Sequence, residues 1–362
     1  MRKLYKNKID KNLIYTLAVL SIISLLSIYS AGCLVGNKLL VLKQILWILV
    51  SIFVIYIILK IGNNFIYKNY KYLYIFINLL LLLLLIFGKP INNSKCWFNI
   101  FGITIQPSEF AKIILIITNA MVINNHFKNN KNKELLLIIK ILIITIIPSI
   151  LTFLEPDTGV VIIYVIISFS MLFISNINIK WFTISILLIL LFLSIFLSMY
   201  FYNSDTFIKI FGTNFFYRID RLLDWKDGVG MQLVNAKSGI GAAHIFGFGF
   251  NNTPIYFPEA QTDFIFSVFA INYGFIGAVI LIATIVYLDI HIIKIGINAK
   301  NKVDKYVVSG IISMLIFSQI QNIGMNIGLL PITGITLPFI SYGGSSLISN
   351  AIAMGILLNI KT

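Results

Sequence analysis

Apolar residues run in long blocks at 12–32, 39–60, 71–88, 105–125, 135–153, 157–176, 180–201, 262–289, 306–328 and 336–360. Most approach the ~20 residues an α-helix needs to cross the hydrocarbon of a bilayer. Only helices and closed barrels satisfy every backbone N–H and C=O in that medium. The blocks therefore predict an all-α polytopic membrane protein with about ten transmembrane helices. One connection stands apart: the polar stretch at about 202–261, between the seventh and eighth spans. No internal repeat and no soluble-domain boundary is visible, so 1–362 reads as one integral membrane domain carrying that loop.

Composition agrees with the pattern. Hydrophobic residues make up 59% and charged residues 11%, against about half and about a quarter in soluble domains. The net charge of +15 sits mainly in short connections and the N-terminal tail. Arg2, Lys3, Lys6, Lys8 and Lys11 fall on the same side as Lys60, Lys68, Lys71, Lys128, Lys131, Lys133, Lys180, Lys294, Lys300, Lys302 and Lys305. The opposite short connections hold only Lys38, Lys89 and Lys95. The positive-inside rule then predicts both termini in the cytoplasm and the long loop outside. Such a distribution suits anionic membrane lipid and argues against nucleic acid as a partner, which would want a contiguous basic face with stacking aromatics.

The loop holds Lys209, Arg218, Arg221, Lys226 and Lys237, which do not overturn this topology because long loops escape the charge rule. Gly239, Gly241, Gly247 and Gly249 lie among aromatics, predicting irregular backbone or short amphipathic helices on the membrane surface. Trp225, Phe246, Phe248 and Phe250 argue against disorder. Cys33 and Cys96 have no metal-ligand spacing, but share a predicted face, which leaves a disulfide open. Arg2, Lys3 and Lys6, an apolar run and then Ser30-Ala31-Gly32-Cys33 have the order of a lipoprotein signal. The run is long enough to span and Ser30 stands where a large aliphatic belongs, which counts against cleavage.

A charge carried into an apolar span must be paired, hydrated or used. Asp263 is such a charge, in the Pro-Glu-Ala-Gln-Thr-Asp-Phe-Ile-Phe run at 258–266. It either caps the helix that follows or does chemistry. Glu109 and Lys112 open the fourth span three residues apart on one helix face, so they can pair with each other. Glu155-Pro156-Asp157-Thr158-Gly159 makes a tight outer turn whose acids are either solvated or set beside a pocket or cation. Gly and Pro at 328–344 break helix at membrane depth, where irregular backbone survives only in protein or beside a cavity. Close packing of small residues accounts for Gly343, Gly344, Ser345 and Ser346, but less well for the Pro-Ile-Thr-Gly turn at 331–334. Nothing resembles a nucleotide cradle, a Ser-His-Asp set or a zinc site. His126 and His291 read as solvated near inner loops, and His244 as an outer-loop candidate.

Taken in order, the Gln-Pro-Ser-Glu-Phe-Ala-Lys run at 106–112, Glu-Pro-Asp-Thr-Gly at 155–159, the run at 258–266 and the stretch from Asn-Ile-Gly-Met to Ser-Tyr-Gly-Gly-Ser-Ser at 322–346 resemble the SEDS proteins, the RodA and FtsW family. The resemblance covers nearly the whole chain, from about Ile9 onward. It implies a ten-span peptidoglycan glycosyltransferase in the bacterial cytoplasmic membrane, polymerising lipid II at the outer face beside a class B penicillin-binding protein. It also implies that Asp263 is the essential aspartate, acting as base for the attacking hydroxyl. Arg218, Arg221, Lys226, Lys237 and Lys112 become candidates for the diphosphate, and Glu109, Glu259, Ser341, Gly343 and Ser345 join the substrate-binding candidates. Mg or Mn is a candidate cation between an acid and the diphosphate, although no cation cage is visible.

This chain departs from the family pattern in three places. Asn93-Ser94-Lys95-Cys96-Trp97 lacks the usual arginine, Ile240-Gly241-Ala242-Ala243-His244 lacks glycines, and Ile271-Asn272 replaces an acidic pair. Two rival readings are a lipid II flippase, which would want polar positions toward the inner leaflet, and a silent scaffold for a penicillin-binding protein. Between branches, Asn322-Ile323-Gly324-Met325 points to RodA, hence elongation and cell shape, with division or sporulation as the alternative.

Overall fold

A computed structural model describes residues 10–88, 95–100, 103–129, 133–213, 216 and 231–361. The helices are α1 (Lys11–Leu34), α2 (Leu39–Ile61), α3 (Asn63–Lys68), α4 (Tyr70–Phe87), α5 (Pro107–Asn129), α6 (Glu134–Leu154), α7 (Thr158–Ile174), α8 (Ile179–Tyr202), α9 (Ser204–Phe211), α10 (Met231–Ala242), α11 (Ile265–Asn298), α12 (Lys302–Asn326) and α13 (Gly344–Leu358). A small antiparallel hairpin, β1 (Phe98–Ile100) with β2 (Ile103–Ile105), precedes α5. Eight helices, α1, α2, α4, α5, α6, α8, α11 and α12, are long and apolar enough to cross a membrane. The shorter apolar helices α7 and α13, of 17 and 15 residues, lie in the sixth and tenth predicted spans.

Helices α5 and α12 form the protein-filled centre, packed on α7, α11 and α13. Their polar residues meet there: Asn119 Nδ2 donates to Ser168 Oγ at 2.9 Å, and Gln319 Nε2 to Asp289 Oδ1 at 3.1 Å. Helix α13 crosses α2 where Gly344 faces the Trp47 ring and Gly355 faces Ile58, the close approach that small residues permit. By contrast, Leu187, Leu190 and Leu191 of α8 face outward.

Two predicted spans have different limits in the structure. The tenth begins as irregular backbone, because Gly328 (φ 77°) and Gly334 (φ 71°) turn the chain and Pro331 and Pro338 remove helix donors. The eighth runs on to Asn298, because polar groups there find partners inside the bundle. His291 is one of them: its ring nitrogens lie 3.2 Å from Asn12 Nδ2 and 3.0 Å from Tyr287 O. It is therefore buried rather than solvated, and so is His126, at 4% exposure. Cys33 and Cys96 are not joined, and the Cys96 thiol donates to Glu155 O at 2.8 Å, so the disulfide left open by the sequence does not form.

Helix α11 kinks at Gly274, where φ is 66° and ψ −162°. The segment after α10 docks on that kink: Phe248 N donates to Ile271 O at 3.0 Å, and Phe275 N to His244 O at 3.0 Å. Asn272, one of the residues replacing the family's acids, accepts from Thr253 Oγ1 at 3.0 Å and so ties the same loop. A Cβ on Gly274 would run into the Gly247 and Ile245 backbones. Gly274→Ala is expected to cost about 1–3 kcal/mol, read as a lower unfolding temperature in detergent.

In the long loop, α9 is amphipathic and α10 buries Leu233, Ala236 and Gly239 against the bundle. Arg2, Lys3, Lys6 and Lys8 of the N-terminal tail, with Lys89, Lys131, Asn93, Ser94, Arg218, Arg221, Trp225 and Lys226, lie outside the described residues.

Candidate functional site

A cavity of about 920 Å³ opens where the N-terminal ends of α5, α7, α11 and α13 converge. Each end presents the positive pole of its helix, so the cavity favours anions before any side chain is considered.

Helix α5 begins at Pro107, whose missing N–H and fixed φ suit the first helical position. One turn on, Glu109 Oε2 and Lys112 Nζ form an ion pair of 2.8 Å with both side chains buried. Asp157 caps α7, accepting from Val160 N at 3.3 Å on one oxygen. Its other oxygen accepts from Gln106 Nε2 at 2.8 Å and Ser108 Oγ at 3.2 Å, joining α7 to α5. Burial raises the Asp157 carboxyl above its usual range. Glu155 is fully buried and not solvated; burial, and then Asp157, push it up to about 8. Among the described residues its carboxyl oxygens have no partner.

Opposite lies the turn that carries Asp263. Glu259 adopts φ 55°, its carbonyl accepts from Thr262 N and Phe264 N, and its carboxylate accepts from Thr262 Oγ1 at 2.8 Å. The turn is gripped from behind. Asn322 Nδ2 and Asn326 Nδ2 of α12 each donate to Asp263 O at 2.9 Å, and Ser341 Oγ donates to Thr262 O at 2.7 Å. Asn326 Oδ1 in turn accepts from Ser267 at the start of α11. The three bonds from Asn322, Asn326 and Ser341 to this turn all end on main-chain carbonyls.

The Asp263 side chain is left facing the cavity. It does not cap α11, whose N-cap is Phe264 with no side-chain bond. Its Oδ2 lies 3.9 Å from where a Cβ on Gly334 would sit, an ordinary contact, and it is the φ of 71° that calls for glycine in the Pro-Ile-Thr-Gly turn. Asp263 precedes the first turn of α11, and burial, then Glu259, raise it to about 7.

The structure sorts the sequence candidates. Asp263, Glu109, Lys112, Glu259, Gly343 and Ser345 line the cavity together with Trp97 and Asp157. Ser345 also accepts from Gln106 N at 2.9 Å, fastening α13 to the hairpin end. Ser341 is corrected from a substrate contact to a brace: it is buried, accepts from Leu337 N and donates to Thr262 O. Lys237 lies along Gly328 and is not among the cavity's lining residues, nor are Lys95 and the exposed His244. Arg218 and Arg221 lie outside the described residues.

Sequence reasoning missed Lys43, which reaches the cavity from α2. Its signal was a lone cation five residues into an apolar span. It also missed the grip of Asn322 and Asn326. No group of three His, Cys, Asp or Glu able to hold a metal occurs among the described residues.

Comparison with known proteins bears on this geometry. A family model described as a cell cycle protein, covering FtsW, RodA and SpoVE, matches residues 9–362. A relative from Buchnera aphidicola, named a probable peptidoglycan glycosyltransferase FtsW, is 34% identical over 334 residues, which cover 88% of this chain and 83% of the relative. A chain of a peptidoglycan synthase complex that coordinates polymerization and crosslinking superposes with a TM-score of 0.81 at 24% identity, covering 97% of each chain. Rod shape determining protein RodA of Thermus thermophilus superposes with a TM-score of 0.69 at 22% identity, covering 97% of this chain and 96% of its own.

Proposed function

The chain belongs to the FtsW, RodA and SpoVE family of cell cycle proteins, and from that membership we propose that it is a multi-pass peptidoglycan glycosyltransferase polymerising lipid II at the outer face of the bacterial cytoplasmic membrane. The observation that carries the reading is the Asp263 carboxylate, without a hydrogen-bond partner among the described residues and held from behind through its main chain, on the wall of a cavity that Lys112 and Lys43 also line.

Glycan extension joins a 4-hydroxyl to an anomeric carbon while a lipid diphosphate departs. Asp263 takes the proton from the attacking hydroxyl. The four helix N-termini, with Lys43 and Lys112, offset charge developing on the diphosphate. A single displacement inverts the sugar and needs no carboxylate nucleophile. Glu259 braces its own turn through Thr262, and Gly343 and Ser345 shape the opposite wall. A single carboxylate does not make a divalent-cation site, and among the described residues no group of three acids or histidines surrounds Asp263, so no step is assigned to a cation.

The relative named FtsW is 34% identical and the structure named RodA only 22%, which favours division over the elongation role suggested by Asn322-Ile323-Gly324-Met325. The likeness to a chain of a peptidoglycan synthase complex supports a class B penicillin-binding protein as partner.

Polymerisation of labelled lipid II by the purified protein with its penicillin-binding partner tests the reading. With Asp263 raised to about 7 and active only when ionised, the rate should climb about tenfold from about pH 6 to about pH 8. A rate flat across that interval would remove Asp263 as the base.

A further inference from the structure

On the face opposite the cavity, α4, α5 and α6 enclose a cleft of about 330 Å³ lined by Tyr70, Asn125, His126, Lys140, Ile143 and Ile144. His126 is 4% exposed, yet neither ring nitrogen has a hydrogen-bond partner among the described residues. The Lys133 backbone approaches the ring without forming a bond of normal geometry. Lys140 lies close enough to interact with the ring electrostatically. It is six residues into α6, about 9 Å along the axis, and so within the span.

An intramembrane cation of this kind needs a counter-charge. No described acid pairs with Lys140, the sole described ion pair being Glu109 with Lys112. Glu134, the acid of the same helix, is engaged by Trp181 Nε1 at 2.8 Å and Asn178 N at 3.4 Å. The unmet requirement is therefore an anion with acceptor oxygens for Lys140, Asn125, the Tyr70 hydroxyl and an imidazole N–H.

The surroundings say where the anion comes from. Ile143 and its neighbour Leu142 are exposed at membrane depth, so the cleft opens toward acyl chains. It also sits near the ends of α4, α5 and α6 that carry Lys71, Lys128 and Lys133. We infer that the cleft between α4, α5 and α6 binds the headgroup phosphate of an anionic phospholipid in the leaflet on the lysine-rich side. Basic pockets between spans on that side are suited to such headgroups.

Native mass spectrometry of the delipidated full chain, titrated with phosphatidylglycerol, phosphatidylcholine and inorganic phosphate, tests this. The expected result is one phosphatidylglycerol retained in preference to phosphatidylcholine, undisturbed by millimolar inorganic phosphate. Lys140→Gln and His126→Leu should each weaken retention by about fivefold or more. Lys68→Gln, on the same face but outside the cleft, should leave it unchanged. Equal retention of phosphatidylcholine, equal weakening by Lys68→Gln, or displacement by inorganic phosphate would each overturn the lipid site. Should His126→Leu unfold, the exposed Lys140→Gln decides the question alone.

Discussion

Asp263→Ala should lower glycan synthesis by about 10²–10⁴-fold, the range for loss of a general base, while leaving the unfolding temperature in detergent unchanged or higher. The asymmetry follows from what the residue bonds to. Its carbonyl is held by Asn322 and Asn326, but its carboxylate makes no hydrogen bond among the described residues. Removing the side chain therefore breaks no hydrogen bond among the described residues and relieves its repulsion with Glu259. Asp263→Asn keeps the shape and loses the proton acceptor, and should be as inactive as alanine. An asparagine variant that still polymerises lipid II would rule out the base. Inactivity of the wild type with its partner present would instead favour a flippase or a scaffold, and translocation in vesicles would then separate those two.

Lys112→Met should be the most destabilising single change at the site, by about 3–5 kcal/mol, because it leaves Glu109 buried without its partner. Unfolding temperature and polymerisation should both fall. The double variant Glu109→Gln with Lys112→Met removes both charges and should recover most of the stability. It should remain inactive if the ammonium meets the diphosphate. Recovery of activity along with stability would reduce the pair to a structural role.

The apolar blocks made the spans legible, because length and hydropathy are properties of the chain alone. Where the blocks end was less legible. His291 extends α11 beyond its apolar stretch because Asn12, far away in sequence, meets its ring. Distance along the chain hides such partners, and it also hid the packing of α4 and α6 that encloses His126. Motif order marked the stretches around Asp263, Glu109 and the last two helices. Roles within those stretches depended on side-chain direction, which the order does not carry. Ser341 turned inward to brace the 262 carbonyl, Lys237 lay along Gly328, and Lys43 entered the cavity from a helix that the motifs never touched.

The grip on the Asp263 main chain also constrains how a bacterium could escape a drug. A compound seated against this carboxylate could be evaded by remodelling what stands behind it. Here those groups are Asn322, Asn326 and Ser341, and each holds backbone at or beside the reacting residue. A substitution that shifted the wall would shift the carboxylate with it, so resistance arising from behind would come at the expense of growth. Escape is left to the opposite wall, around Gly343, where a bulkier residue can narrow the entrance without moving Asp263.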